Sequence, residues 1–108
     1  MASTNVVRGN LLFSAVLGPT LSPASVAANT TAEQTFTVNG LATTDFVNVV
    51  KPTAQPGLAI GNSRVSAANT LAIVFVNTTA SPIVPTAAEV YQVGVDRPEG
   101  TLPASLNP

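Results

Sequence analysis

Polar and apolar residues alternate along several short stretches between residues 32 and 95, with the period of two that a half-buried β-strand requires. Residues 35–38 and 89–95 follow this alternation clearly. Residues 70–77 instead contain six consecutive apolar residues, which is typical of a strand buried on both faces. Together with two further stretches, the pattern predicts strands near residues 35–38, 46–50, 64–66, 70–77 and 90–95.

Turn-forming residues separate these stretches. Asn39-Gly40 is the strongest short turn signal, because both residue types tolerate a positive φ, and Pro56-Gly57 and residues 67–69 are two more. Turns at intervals of about 8–12 residues are typical of a small sandwich or barrel. We therefore predict an all-β fold, a small antiparallel β-sandwich or barrel with extended N- and C-terminal arms. The predicted core consists of Phe36, Val38, Val49, Leu71, Ile73, Phe75, Tyr91 and Val93.

The two ends of the chain lack the alternation. An uncharged apolar run at residues 11–17 is followed by Gly18-Pro19 and Pro23, and proline favours extended backbone in the residue before it. Residues 96–108 contain three more prolines. The predicted organisation is an extended N-terminal arm at residues 1–31, a β domain at residues 32–95 and an extended C-terminal tail at residues 96–108.

The N-terminal segment allows two interpretations. Residues 1–28 have features of a secretory signal, because Arg8 precedes the apolar run and Val26-Ala27-Ala28 offers a small-residue cleavage site. Alternatively, the segment is an arm that lies on a neighbouring molecule, because soluble proteins avoid leaving such an apolar patch in water. On the second interpretation the predicted interface consists of Val6, Val7, Leu11, Leu12, Phe13, Val16 and Leu17.

The composition excludes several kinds of chemistry. The chain contains no His and no Cys, which excludes disulfides, thiol catalysis, histidine acid–base chemistry and zinc sites built from these residues. No glycine-rich phosphate-binding loop is present either. We predict no catalytic, cofactor-binding or metal-binding residues, no cofactor and no enzymatic activity.

Charged residues make up only 8% of the chain, against about 25% in an ordinary soluble protein. Four scattered basic residues and a net charge of −1 form no patch for nucleic acid or an anionic membrane, and neither partner is predicted. A surface of Thr, Ser and Asn suits a protein that packs against copies of itself, and we expect a homotrimer, with a dimer still open. Arg64 is predicted to anchor an interface or to pair with Asp45 or Glu89.

Several segments of the central region carry a resemblance. They are FTVNGL at residues 36–41, VVKP at 49–52, VSAANTL at 65–71, FVN at 75–77 and PTAAEVY at 85–91. With these segments, residues 35–95 resemble a domain of the structural proteins of tailed bacteriophages. The resemblance implies a capsid decoration (cement) protein on the exterior of the virion, assembled in the host cytoplasm. It implies the major capsid protein as partner, and no active-site residues.

Two other functions fit the same pattern. The first is a phage tail, fibre or adaptor component, which would share the β domain and differ only in its location on the particle. The second is a secreted carbohydrate-binding or adhesin module, which would need exposed aromatic rings for sugar stacking. The chain has four Phe and one Tyr, mostly at predicted inward strand positions, which disfavours this second alternative.

Overall fold

The computed structural model describes residues 9–106, and in this range the chain forms eight β-strands and no helix. The all-β antiparallel fold is therefore as predicted. The strands are β1 (Leu11–Leu17), β2 (Thr20–Leu21), β3 (Thr30–Thr37), β4 (Phe46–Val50), β5 (Leu58–Ala67), β6 (Thr70–Asn77), β7 (Glu89–Val90) and β8 (Gln92–Pro98).

Two three-stranded sheets enclose the core. One has the order β1-β8-β4 and the other β3-β6-β5, while β2 and β7 form a short two-stranded ladder. The long strands β8 and β6 lie at the centres of their sheets, since each pairs through its backbone with one strand on either side. Ser63 Oγ on β5 lies 3.4 Å from the carbonyl oxygen of Val47 on β4, where the facing edges of the two sheets approach each other.

The predicted strand at residues 46–50 and the predicted strand at residues 70–77 coincide with β4 and β6. The other three predicted strands are shorter than the observed ones. The first begins earlier, as β3, the second is the end of the ten-residue β5, and the third is divided between β7 and β8. Backbone pairing with β6 extends β3 and β5 into polar residues whose sequence shows no alternation.

The turn at Asn39-Gly40 joins the two sheets rather than two neighbouring strands, since β3 pairs with β6 and β4 pairs with β8. The tight hairpin of the domain is the β5–β6 turn. Its residue Asn69 has φ 62, in the left-handed region that asparagine tolerates better than most residues. Asn69 Oδ1 also accepts a hydrogen bond of 2.7 Å from the Gly40 amide, which ties the two turns together.

The predicted N-terminal arm is wrong in one respect, because part of it belongs to the folded domain. β1 pairs along β8 from Leu11 to Leu17, and Leu21 and Val26 are buried in the core. The central strand β8 would otherwise present an unpaired edge, and the apolar run supplies the missing ladder. The predicted tail at residues 96–108 is corrected in the same way, since β8 continues to Pro98.

The core contains seven of the eight predicted residues, while Phe36 is only partly buried and packs against its margin. The buried hydrophobic residues that the sequence did not single out are Leu21, Val26, Leu41, Val47, Val65, Ala72 and Val95. Ala72 points to the outer side of β6, where the ion pair between Glu33 and Arg64 spans the strand and covers it.

Candidate interaction surface

The two faces of the β1-β8-β4 sheet follow directly from the alternation along its strands. Val47 and Val49 on β4 face the core together with Val93 and Val95 on β8. The residues between them therefore face outward, and Phe46 is 62% exposed. The exposed large apolar residues on and beside this outer face are Val16, Phe46, Val50 and Val90.

Glycine leaves the middle of this face open. Gly94 on β8 lies between Val16 on β1 and Asn48 on β4, and it has no side chain to fill the space between them. At one end of the face the methyl group Cγ1 of Val90 would lie 3.3 Å from a Cβ at Gly18, so β7 closes against the end of β1. We call the outward side of the β1-β8-β4 sheet, together with Val90, the outer face.

Three ion pairs take up six of the charged side chains in the described range. They are Lys51–Glu89 at 3.1 Å, Arg64–Glu33 at 2.9 Å and Arg97–Asp45 at 2.6 Å. On the outer face, Ser14 donates a hydrogen bond of 2.6 Å to the carboxylate of Asp96. The outer face therefore presents apolar and neutral polar groups with one hydrogen-bonded carboxylate.

The Asp45 carboxylate fixes the loop between β3 and β4 against β8. It accepts hydrogen bonds from the Arg97 guanidinium and from the Ala42 amide, and Arg97 also donates to the carbonyl oxygen of Gly40. The hydrogen bond from Arg97 lowers the pKa of Asp45. The Arg97 guanidinium carbon lies 4.7 Å from the centre of the Phe13 ring, a cation–π distance that holds this ring at the end of β1.

A second polar cluster lies beneath the loop after β4. Lys51 Nζ donates to the backbone and hydroxyl oxygens of Thr53, whose hydroxyl donates to Glu89 at 2.5 Å. The hydrogen bond from Thr53 and the nearby Lys51 ammonium lower the pKa of Glu89. The Tyr91 hydroxyl is buried beside this cluster and has no hydrogen-bond partner among residues 9–106, and burial raises the pKa of Tyr91 to about 12.

We expect Tyr91→Phe to leave stability unchanged or to increase it by up to about 1 kcal/mol, because a buried hydroxyl without a partner carries an uncompensated desolvation cost. Urea unfolding of both chains measures the difference. Tyr91→Ala is the contrasting control and should lose about 3–5 kcal/mol, since it removes a fully buried ring. A clear loss of stability in Tyr91→Phe would show that the hydroxyl makes a contact that stabilises the fold.

The predicted interface residues fall into three groups. Val6 and Val7 lie outside the described residues. Leu11, Leu12, Phe13 and Val16 are exposed by 40% to 74% on β1, whereas Leu17 is partly buried and packs against the core. Arg64 lies on β5 in the other sheet, and its partner is Glu33 rather than Asp45 or Glu89. The structure thus brings the β1 residues together on one strand and places Arg64 apart from them.

The sequence interpretation missed the contribution of β4 to the outer face. Phe46 and Val50 are exposed, although an inward position was expected for most aromatic residues. The signal was present in the alternation of residues 46–50. Residues an odd number of positions apart on a strand point to opposite faces, so Val49 in the core requires Phe46 and Val50 to face outward. Phe13 is exposed by 40% as well, so two of the five aromatic residues are exposed.

The described part of the chain offers few other candidates for a site. No group of three acidic, histidine or cysteine side chains within residues 9–106 could hold a metal ion. In the same range no helix is long and apolar enough to cross a membrane. The chain matches no protein-family model, no curated protein and no solved structure.

Proposed function

We propose that this protein is a non-enzymatic structural component of a bacteriophage virion, a capsid decoration protein that binds the major capsid protein on the exterior of the icosahedral head and stabilises the shell. The observation that carries the proposal is the outer face. Four large apolar residues are at least 49% exposed there, on a small domain whose charged groups are mostly engaged in ion pairs. Monomeric proteins seldom leave a contiguous apolar surface without a partner.

The energy available from this face suits a protein that acts in many copies. Complete burial of a large apolar side chain contributes about 1.5–3 kcal/mol, and the ordering of the partners offsets part of it. A single contact of this size binds weakly. Many copies on one closed shell act together, and such multivalent contacts stabilise the whole particle.

Substitution on β4 tests the proposal more cleanly than truncation of the N-terminus. Removal of β1 would unpair one edge of β8 and remove Leu17 from the margin of the core, so a loss of binding could follow from unfolding. Phe46 lies on the outer face, exposed and away from the core cluster. Its replacement changes the surface and leaves the ladder between β4 and β8 in place.

We expect Phe46→Asp to abolish or strongly weaken binding to undecorated heads of the phage that encodes the chain, because a charge replaces an apolar contact. Co-sedimentation of the purified protein with these heads measures the loss. Val84→Asp is the matched control, because Val84 is similarly exposed, at 61%, in a loop off this sheet. Unchanged binding of Phe46→Asp, or absence of the protein from purified virions by mass spectrometry, would contradict the proposal.

One observation favours a second candidate function, a carbohydrate-binding or adhesin module. The exposed ring of Phe46 adjoins an open groove of about 660 Å³ between β4 and β5, lined also by Asn48, Asn62, Ser63 and Arg64. An aromatic ring beside amide and hydroxyl groups is a common arrangement for sugar binding. A glycan-binding screen distinguishes the two: a saccharide that binds the wild-type chain and not Phe46→Ala supports this candidate, and head binding supports the first.

A further inference from the structure

The outer edge of β1 is an open strand edge. β1 pairs with β8 along one side from Leu11 to Leu17, and no other strand in residues 9–106 pairs with its opposite side. Backbone N–H and C=O groups point alternately to both sides of a strand, so this edge presents a row of donors and acceptors that no strand of the described range pairs with. The seven residues of β1 contain no charge and no proline, two of the features with which proteins protect such an edge.

The other edges of the two main sheets are protected. β5 carries two irregularities in its register with β6, which interrupt a regular outer edge. The edge of β4 approaches β5, where Ser63 Oγ lies 3.4 Å from the carbonyl oxygen of Val47. β3 carries the charged Glu33, held in its ion pair with Arg64. A second copy of the chain therefore offers the edge of β1 one matching uncharged partner, which is its own β1.

Two β1 strands related by a two-fold axis fit together well. The register irregularity lies between Leu11 and Phe13, so the regular part of the edge is residues 13–17, with Ala15 at its centre. Antiparallel pairing about Ala15 places Phe13 opposite Leu17 of the other copy. The two Asp96 carboxylates would lie about 15 Å apart, given strand spacings of about 4.8 Å, and at this distance salt screens their repulsion.

We propose that two copies of this chain associate through antiparallel pairing of their β1 strands, which joins their sheets into one continuous six-stranded sheet. This interface satisfies the open backbone groups and covers the exposed parts of Phe13 and Val16 at the same time. The resulting pair is a closed two-fold dimer, the commonest symmetry of identical chains, in place of the expected homotrimer. The inference does not depend on the proposed capsid function.

Sedimentation equilibrium of the full chain over a concentration series tests the stoichiometry. We expect a species of twice 10.9 kDa in the wild-type chain. Val16→Lys places a charge on this edge and should shift the species to a monomer. Phe46→Lys is the matched control, because it introduces the same charge on the same face at the opposite edge of the sheet, and it should leave the dimer intact.

Single cysteines test the register, since the natural chain has none. In Ala15→Cys the two sulfur-bearing residues lie opposite each other at the two-fold axis, within the reach of a disulfide. In Val16→Cys they lie diagonally, beyond that reach. We expect a disulfide-linked dimer after mild oxidation of Ala15→Cys and little of it from Val16→Cys.

Three results would overturn the proposal. The first is a monomeric wild-type chain throughout the concentration series, and the second is a trimer. The third is a dimer that Val16→Lys leaves unchanged, or that cross-links equally through both cysteines. Circular dichroism of each variant establishes that it is folded before its association is measured, and Phe46→Lys provides the reference for the effect of charge alone.

Discussion

Asn77→Asp should unfold the domain under conditions in which the wild-type chain is stable. The Asn77 side chain is 1% exposed, and it uses every hydrogen-bonding position of its amide. Its Nδ2 donates to the carbonyl oxygens of Val26 and Ser81, at 3.1 and 2.9 Å. Its Oδ1 accepts from the amide and hydroxyl groups of Thr79, at 2.9 and 2.7 Å.

The substitution preserves the shape of this side chain and reverses half of its hydrogen bonding. A carboxylate oxygen would replace Nδ2 and face the two carbonyl oxygens of Val26 and Ser81. Each buried acceptor without a partner costs about 1–3 kcal/mol, and the buried charge adds to this. The expected loss of about 4 kcal/mol or more is comparable with the whole stability of a small domain, about 5–15 kcal/mol.

The chain contains its own matched control. Asn29 begins the same tripeptide, Asn-Thr-Thr, as Asn77 does, but its side chain is exposed. Asn29→Asp should change the free energy of unfolding by less than about 1 kcal/mol, because the side chain is exposed and Asp, like Asn, tolerates the left-handed conformation that residue 29 adopts at φ 52. Urea unfolding of the two variants measures both values. Equal midpoints for Asn77→Asp and the wild-type chain would show that the four hydrogen bonds of Asn77 do not stabilise the domain.

Gly57→Ala should also destabilise the domain strongly. Gly57 has φ 83, in the left-handed region, and a Cβ at this position would collide with Cγ2 of Thr79. The backbone cannot move away easily, because the carbonyl oxygen of Gly57 accepts hydrogen bonds from the amide and hydroxyl groups of Thr78. The left-handed conformation alone costs about 1–2 kcal/mol for a residue with a Cβ, and the collision adds to it.

Two further variants separate backbone strain from collision. Gly40 has φ 97 with open space around its Cβ position, so Gly40→Ala should show only the backbone cost. Thr79→Ser removes Cγ2 and keeps the hydroxyl, so the double variant Gly57→Ala/Thr79→Ser should recover the part of the loss that collision causes. Thermal unfolding of the wild-type chain, the two single glycine variants and the double variant measures these losses of stability. Equal losses in Gly57→Ala and Gly40→Ala would refute a role for Thr79.

Local patterns of polar and apolar residues were sufficient to predict the strand character of the domain, because each pattern needs no distant contact. Residues 46–50 alternate, and Val49 in the core fixed which side of β4 faces outward. Residues 71–76 are apolar without interruption, which predicted a strand buried on both faces. In the structure this strand is β6, whose inward residues Leu71, Ile73 and Phe75 are fully buried, whereas Val74 and Val76 on its other face are only partly buried. Successive side chains of a strand point to opposite faces, so the order of polar and apolar residues in each segment indicates which face is buried.

The positions of residues 11–17 and the partner of Arg64 depend instead on contacts between distant segments. The apolar run has no alternation, and its position as β1 depends on the open edge of β8, which lies near the other end of the chain. Several acidic residues could have paired with Arg64, and the register of β3 and β5 against β6 selected Glu33. Both outcomes depend on contacts between distant segments. Composition and periodicity describe only the segments themselves, so these contacts arise when the strands come together.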